Sequence, residues 1–106
     1  MNGYYINLNH RVDRKNHMEK LIKNFEFFKN IERFEAIQND NGALGCISSH
    51  YNILTKMENT DKNYFIILED DFFIFNGNHF NNFVKEFEKI KDNEEWDIVT
   101  LTPRGE

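Results

Sequence analysis

The chain has 106 residues, enough for one domain with a single hydrophobic core and too few for two. Hydrophobic residues make up 40% and aromatic residues 15%, with eleven Phe, which argues for a packed core and against a disordered chain. The formal charge of −5, without a continuous Lys/Arg stripe, argues against nucleic acid as a partner, although a local arginine pair or a bound cation could still hold a diphosphate.

The first half of the chain alternates short apolar runs with segments of helical periodicity. Residues 4–8 predict a strand, and the apolar residues between Met18 and Phe28 predict an amphipathic helix after it. Residues 34–37 predict a second strand, followed by a turn-rich stretch and a helix that begins near Ala43. The stripe expected to bury this helix against a sheet consists of Leu44, Ile47, Tyr51, Leu54 and Met57, flanked by Ala43, Cys46 and Ile53.

The second half repeats the alternation. Residues 64–68 form a continuous apolar run, which predicts a central strand covered on both faces. A helix with an apolar face from Phe80 to Ile90 and a last strand at 96–101 follow. The order β-α-β-α-β-α-β predicts an α/β fold, an open and mostly parallel sheet with helices on both faces, as one domain over residues 1–106.

Cysteine content and hydropathy give expectations about the compartment. Cys46 is the single cysteine, so an internal disulfide is excluded, and we expect a buried apolar thiol. The N-terminus lacks a basic region followed by a long apolar run, and no segment has the length of a membrane span. The sequence therefore predicts a cytoplasmic protein with no membrane span.

Three adjacent carboxylates, Glu69, Asp70 and Asp71, follow the predicted central strand. Ligands of open α/β sheets collect at the carboxyl ends of the strands. In extended backbone, Glu69 and Asp71 would point to one side and Asp70 to the other. Crowded, partly desolvated carboxylates favour Mg²⁺ or Mn²⁺, although an acidic triplet is more often a solvated turn. The apolar strand before this triplet shifts the balance towards a metal site.

Two further segments offer groups for an anionic ligand. The loop after the first strand contains Asn7, Arg11 and Arg14, and the two arginines could hold a diphosphate or could equally be solvated beside Asp13. Glycines begin the second helix at Gly42 and Gly45, but the chain has neither a P-loop nor a GxGxxG motif.

Histidine and cysteine give a weaker signal. Cys46 and His50 have the i, i+4 spacing that suits zinc, but no second ligand pair is visible, so a packed and hydrogen-bonded His50 is the favoured interpretation. The other three histidines, His10, His17 and His79, are expected at the surface.

Five sequence blocks occur in register along the chain: 5–8, Arg11 with Asp13-Arg14, 33–37, the Gly-Cys-Ser-His block 42–50, and Ile67-Leu68 before the triplet. In this order they resemble glycosyltransferase family 25, the group that contains lipooligosaccharide and procollagen galactosyltransferases. The resemblance implies a GT-A-like domain that transfers a hexose, galactose or glucose, from a UDP-sugar to a saccharide or hydroxylated acceptor.

The resemblance also assigns roles. The triplet would be the counterpart of a DxD motif, with Asp71 and either Asp70 or Glu69 holding Mn²⁺ (or Mg²⁺). Asn7, Arg11 and Arg14 would contact the nucleotide, whereas Gly42, Gly45 and His50 would shape the donor site. Members of this family continue beyond the last predicted strand, which implies a C-terminally truncated domain. The exposed sheet edge could then be covered by a second copy in a homo-oligomer.

Two other functions compete with this interpretation. A non-catalytic module could retain a nucleotide-sugar or metal site without turnover. A receiver-type phosphoryl-relay domain also uses clustered carboxylates, but its acidic pair would follow the first strand, where this chain has Asn9-His10-Arg11. The relay domain is therefore disfavoured.

Overall fold

A computed structural model describes residues 1–61, 64–74 and 76–92. One compact unit covers Met1–Phe75, and a second begins at Asn76. The elements in chain order are β1 (Asn2–Asn7), α1 (Val12–Asn24), a 3₁₀ turn (Glu26–Phe28), β2 (Asn30–Glu35), α2 (Gly42–Glu58), β3 (Ile66–Glu69) and α3 (Gly77–Ile90). This order confirms the predicted alternation as far as α3, and the strand predicted at 96–101 lies outside the described residues.

The three strands form a parallel sheet in the order β2-β1-β3. Gly3 of β1 lies so close to β3 that a Cβ atom there would be 2.0 Å from the carbonyl oxygen of Ile66. Among the three described strands the central one is β1, and the central place predicted for residues 64–68 stays a prediction because the strand predicted at 96–101 lies outside the described residues. A continuous apolar run shows that a strand is buried and does not show its place in the strand order.

The strand order reverses direction around β1. The chain leaves β1 through α1 to reach β2 on one side, and it then crosses through α2 to β3 on the other side. In open parallel sheets this reversal leaves a crevice at the carboxyl ends of the two strands beside it, where ligands bind. For this sheet the crevice lies after Asn7 and Glu69.

Alternation along β1 places a helix on each face of the sheet. Tyr4 packs with Ile53 and Met57 of α2. Tyr5 points to the opposite face, where its hydroxyl donates a hydrogen bond to the carboxylate of Glu19 on α1. Burial, reinforced by this bond, raises the pKa of Tyr5 above its usual value. The predicted open α/β fold with helices on both faces is confirmed.

The buried face of α2 differs from the prediction. The residues that face inward are Gly45, Ser49, Ile53 and Met57. Most of the predicted stripe is exposed, namely Leu44, Ile47, Tyr51 and Leu54, and so is Cys46. The expectation of a buried thiol is therefore also wrong. The buried row of α2 starts with two small residues because the first turns of the helix approach the chain after β2 closely. A hydrophobic pattern does not take residue size into account, so it does not reveal this approach.

In the second unit, α3 forms as the periodicity predicts. The side chain of Asn76 caps the helix by accepting hydrogen bonds from the backbone N–H groups of Asn78 (2.9 Å) and His79 (3.3 Å). Phe80 and Phe87 are buried. Within the described ranges of the chain, none of the helices combines the length and the apolar character that crossing a bilayer requires.

Candidate functional site

The carboxyl ends of β1 and β3 are joined by a direct side-chain contact. Asn7, the last residue of β1, donates from Nδ2 to Oδ2 of Asp70 over 2.8 Å. Asp70 follows β3 directly and lies in a turn that is closed by a bond from the N–H of Phe72 to the carbonyl oxygen of Glu69 (3.1 Å). The two side chains therefore meet at the strand reversal, where an α/β sheet places its ligands.

Asn7 is the centre of this network and is almost completely buried, with 1% of its surface exposed. Its second amide hydrogen bonds to the carbonyl oxygen of Arg11 over 3.1 Å. Its Oδ1 accepts from Nε of Arg33 over 3.0 Å, and its backbone carbonyl accepts from Nη2 of the same arginine over 3.3 Å. Because these bonds use both amide hydrogens and the amide oxygen, Asn7 positions its neighbours.

Arg33 is the member of the network to which the sequence analysis assigned no role. The sequence feature that could have revealed it is a charged residue in the middle of β2, at the register position opposite Tyr5 of β1. A half-buried arginine in a strand needs partners for its guanidinium group, and here the partners are provided by Asn7.

Arg14 reaches the same carboxylate from α1. Its guanidinium donates to Oδ1 of Asp70 over 3.2 Å, so each oxygen of Asp70 accepts one hydrogen bond. The side chain of Arg14 is 41% exposed, whereas that of Asp70 is only 11% exposed. The Arg14 side chain is therefore partly exposed to solvent beside a buried carboxylate.

Arg11 is engaged differently from Arg14. It forms a two-pronged ion pair with Asp13 in the first turn of α1, at 3.0 and 2.9 Å. Hydrogen bonding to Arg11 lowers the pKa of Asp13 to about 2, and the same contact raises the pKa of Arg11. The two arginines predicted to hold a diphosphate thus have different carboxylate partners.

The acidic triplet does not point in one direction. The α2-facing cluster contains Tyr4 and Ile67, so the alternation of β3 places Glu69 on the α2 side. Asp70 is directed to the α1 side with Asn7 and Arg14. This confirms that Glu69 and Asp70 point to opposite sides. β3 ends at Glu69 and the chain turns at Asp70 and Asp71, so strand alternation does not extend to Asp71, which is exposed. That Asp71 points to the same side as Glu69 stays a prediction.

Glu69 instead lies beside the first turns of α2. A ligand atom of Glu69, one of Cys46 and one of His50 all lie within 4.8 Å of one another. Among the described residues these three form a group of metal-binding character, which the spacing of Cys46 and His50 alone did not establish. His50 is half-buried, and its Nδ1 donates to the carbonyl oxygen of Cys46 over 2.9 Å, in agreement with the prediction of a packed, hydrogen-bonded histidine.

The two glycines of α2 have different surroundings. A Cβ atom at Gly45 would lie 2.7 Å from the carbonyl oxygen of Ile37, so the residue permits close packing of the helix on the chain after β2. Ser49 fixes the same approach, because its hydroxyl accepts from the N–H of Ile37 (2.9 Å) and donates to the carbonyl oxygen of Gly45 (3.0 Å). Gly42 has no heavy atom within 4 Å of its Cβ position among the described residues, so close packing does not require a glycine there.

Comparison with known proteins assigns the chain to a family. Residues 38–102, more than half of the chain, match the family model described as glycosyltransferase family 25 (LPS biosynthesis protein). No curated protein and no solved structure gave a significant match. The matched range contains α2 and the acidic triplet, and Asn7 and Arg14 are linked to it through Asp70. The chain therefore belongs to glycosyltransferase family 25.

Proposed function

We propose that this chain binds a UDP-hexose, with galactose or glucose as the sugar, at the carboxyl ends of β1 and β3, and transfers the sugar to a hydroxyl group of a saccharide or glycosylated acceptor. The observation that carries this proposal is the Asn7–Asp70–Arg14 network at the strand reversal. Family membership supplies the reaction class, and the network supplies a place for the donor.

The donor set at this edge suits a hard divalent cation. Asp71 is exposed, and each oxygen of Asp70 accepts one hydrogen bond and keeps further lone-pair capacity. Carboxylate oxygens are the ligands that Mg²⁺ and Mn²⁺ prefer, so Asp71 together with Asp70 would hold the ion. When bound, the cation would stabilise negative charge on the departing diphosphate.

The chain's own groups would complete the donor site. The partly exposed side chain of Arg14 would donate hydrogen bonds to a phosphate oxygen, and its bond to Asp70 would fix its direction. Arg33 and Asn7 lie behind this pair and hold it in position. In the transfer, the oxygen of an acceptor hydroxyl bonds to the anomeric carbon and its proton passes to the solvent, while the bond from that carbon to the UDP oxygen breaks with its electron pair on UDP.

Calorimetric titration of the full chain with UDP, with and without Mn²⁺, tests the binding step. We expect Asp71→Asn to weaken Mn²⁺-dependent UDP binding by at least about tenfold, because a carboxylate ligand becomes a neutral amide. The matched control is Asp61→Asn. Asp61 is exposed and lies just after the C-terminal end of α2. Because α2 begins near the carboxyl end of β2, its C-terminal end lies away from the carboxyl edge of the sheet where the donor site is proposed. Asp61→Asn should therefore bind UDP like the unmodified chain.

Hydrolysis of UDP-galactose and UDP-glucose in the presence of Mn²⁺ tests turnover. Release of UDP that Asp71→Asn abolishes and Asp61→Asn retains would support a transferase. Binding without release would instead support the non-catalytic module. UDP affinity that is equal in Asp71→Asn and Asp61→Asn would contradict the metal assignment.

A further inference from the structure

We propose that Cys46, His50 and Glu69 form a second metal site, specific for Zn²⁺ and separate from the proposed donor site. The three side chains belong to two elements that are distant in sequence, α2 and the end of β3. Their ligand atoms lie within 4.8 Å of one another. The i, i+4 pair on one helix face thus obtains the third ligand that the sequence did not reveal.

The fold accounts for this meeting. Glu69 follows Ile67 by two positions, so it points to the sheet face that α2 covers. Cys46 and His50 lie one helical turn apart near the start of α2. The start of α2 is held in place because Gly45 and Ser49 contact the backbone of Ile37. The ligands are therefore carried by fixed elements.

The histidine already has the hydrogen bond that a metal-binding imidazole needs. Its Nδ1 lies 2.9 Å from the carbonyl oxygen of Cys46 and 3.7 Å from the Sγ atom of the same residue. Because a carbonyl oxygen only accepts, the shorter contact places the proton on Nδ1, and a Cys46 thiolate would be a second acceptor for it. In the neutral ring the lone pair is then on Nε2. Donation of the other ring N–H to a backbone carbonyl is the contact that commonly orients zinc-binding histidines.

The donor chemistry selects the metal. A thiolate, an imidazole nitrogen and one carboxylate oxygen match Zn²⁺, whereas Mg²⁺ and Mn²⁺ prefer sites made of oxygen ligands alone. Ligand atoms around a tetrahedral zinc are about 3.5 Å apart, so closing the site requires side-chain shifts of about 1 Å. Cys46 and Glu69 are exposed, which gives them this freedom and leaves the fourth position to water.

Bound zinc would connect α2 to the end of β3 and direct Glu69 away from the donor site. The acidic triplet would then serve two ions, with Glu69 on the α2 side and the two aspartates at the crevice. The zinc site does not depend on glycosyl transfer, so the two proposals can fail independently.

Cobalt substitution in the full chain, under a phosphine reductant, tests the site. We expect one Co²⁺ per chain, an absorption band from thiolate-to-cobalt charge transfer, and displacement of Co²⁺ by Zn²⁺. Cys46→Ser should abolish the band, and His50→Gln and Glu69→Gln should each weaken Zn²⁺ binding by at least about tenfold. Zinc should also raise the melting temperature of the unmodified chain and not that of Cys46→Ser.

Two controls separate this site from the donor site and from adventitious binding. Asp71→Asn should keep the charge-transfer band, and so should His79→Gln, which changes an exposed histidine in the second unit. Circular dichroism of each variant checks the fold. Absence of a thiolate band in the unmodified chain, Zn²⁺ affinity unaffected by Cys46→Ser, or one zinc per two chains would overturn the proposal.

Discussion

Glu69 and Asp70 are neighbours in the chain with the same charged group, yet they occupy opposite environments. Asp70 is buried and accepts hydrogen bonds from Asn7 and Arg14, which connect β3 to β1 and α1. Glu69 is exposed beside Cys46 and His50. The difference teaches that the alternation of side chains at the end of β3 decides the surroundings of each carboxylate: Asp70 is joined to β1 and α1 by hydrogen bonds, whereas Glu69 has Cys46 and His50 as its neighbours.

The largest expected effect is a difference in stability between variants of these two carboxylates. Asp70→Ala removes the acceptor for Asn7 and Arg14 and leaves a buried amide donor without its partner, so the free energy of unfolding should fall by about 2–3 kcal/mol. Glu69→Ala, measured in EDTA, should change it by less than about 0.5 kcal/mol because the side chain is exposed. Urea unfolding followed by circular dichroism measures both. Equal losses in the two variants would break the comparison.

Much of the fold could be predicted because burial in this chain follows periodicity. The buried residues of α1, Met18 and Leu21, belong to the predicted apolar face, and Phe80 and Phe87 do so in α3. The prediction of the buried face failed for α2, because its contact with the chain after β2 requires small residues at Gly45 and Ser49. A hydrophobic pattern ranks such residues low, although close backbone approach requires them.

The sequence predicted where the candidate site lies better than it predicted which residues contact one another there. Chain order and the apolar strand placed Asn7 and the triplet at the carboxyl edge, and the structure confirms this placement. The partners could not be predicted, because Arg33 meets Asn7 only through strand pairing and Glu69 meets His50 only through the path of α2. Contacts of this kind depend on register and helix placement, which local sequence does not encode.

A smaller effect is expected one step further from Asp70. Arg33→Lys cannot reproduce the two bonds that the guanidinium makes to the side-chain and backbone oxygens of Asn7. The free energy of unfolding should fall by about 1 kcal/mol, which urea unfolding resolves. Glu35→Gln, an exposed change on the same strand, is the control and should stay within about 0.5 kcal/mol. If Arg33→Lys behaves like its control, the network does not extend to β2.

The smallest expected effect concerns Asp13, an exposed carboxylate that, like Asp70, binds an arginine. Hydrogen bonding to Arg11 lowers the pKa of Asp13 from 3.8 to about 2 in the folded chain. Because folding lowers this pKa, ionised Asp13 stabilises the folded chain at pH values above the unfolded pKa of 3.8. This stability is lost as the pH falls from 3.8 towards 2. The melting temperature of the unmodified chain should thus slightly exceed that of Asp13→Asn at pH 5, and the difference should shrink as the pH falls and vanish below pH 2. Because the pair is solvated, added salt should shrink the difference.

An NMR titration of the Asp13 carboxyl group measures the pKa directly, and a value near 3.8 would show that the ion pair does not persist in solution. The contrast with Asp70 would then be sharper, because an arginine at this edge would hold a carboxylate only where the carboxylate itself is buried.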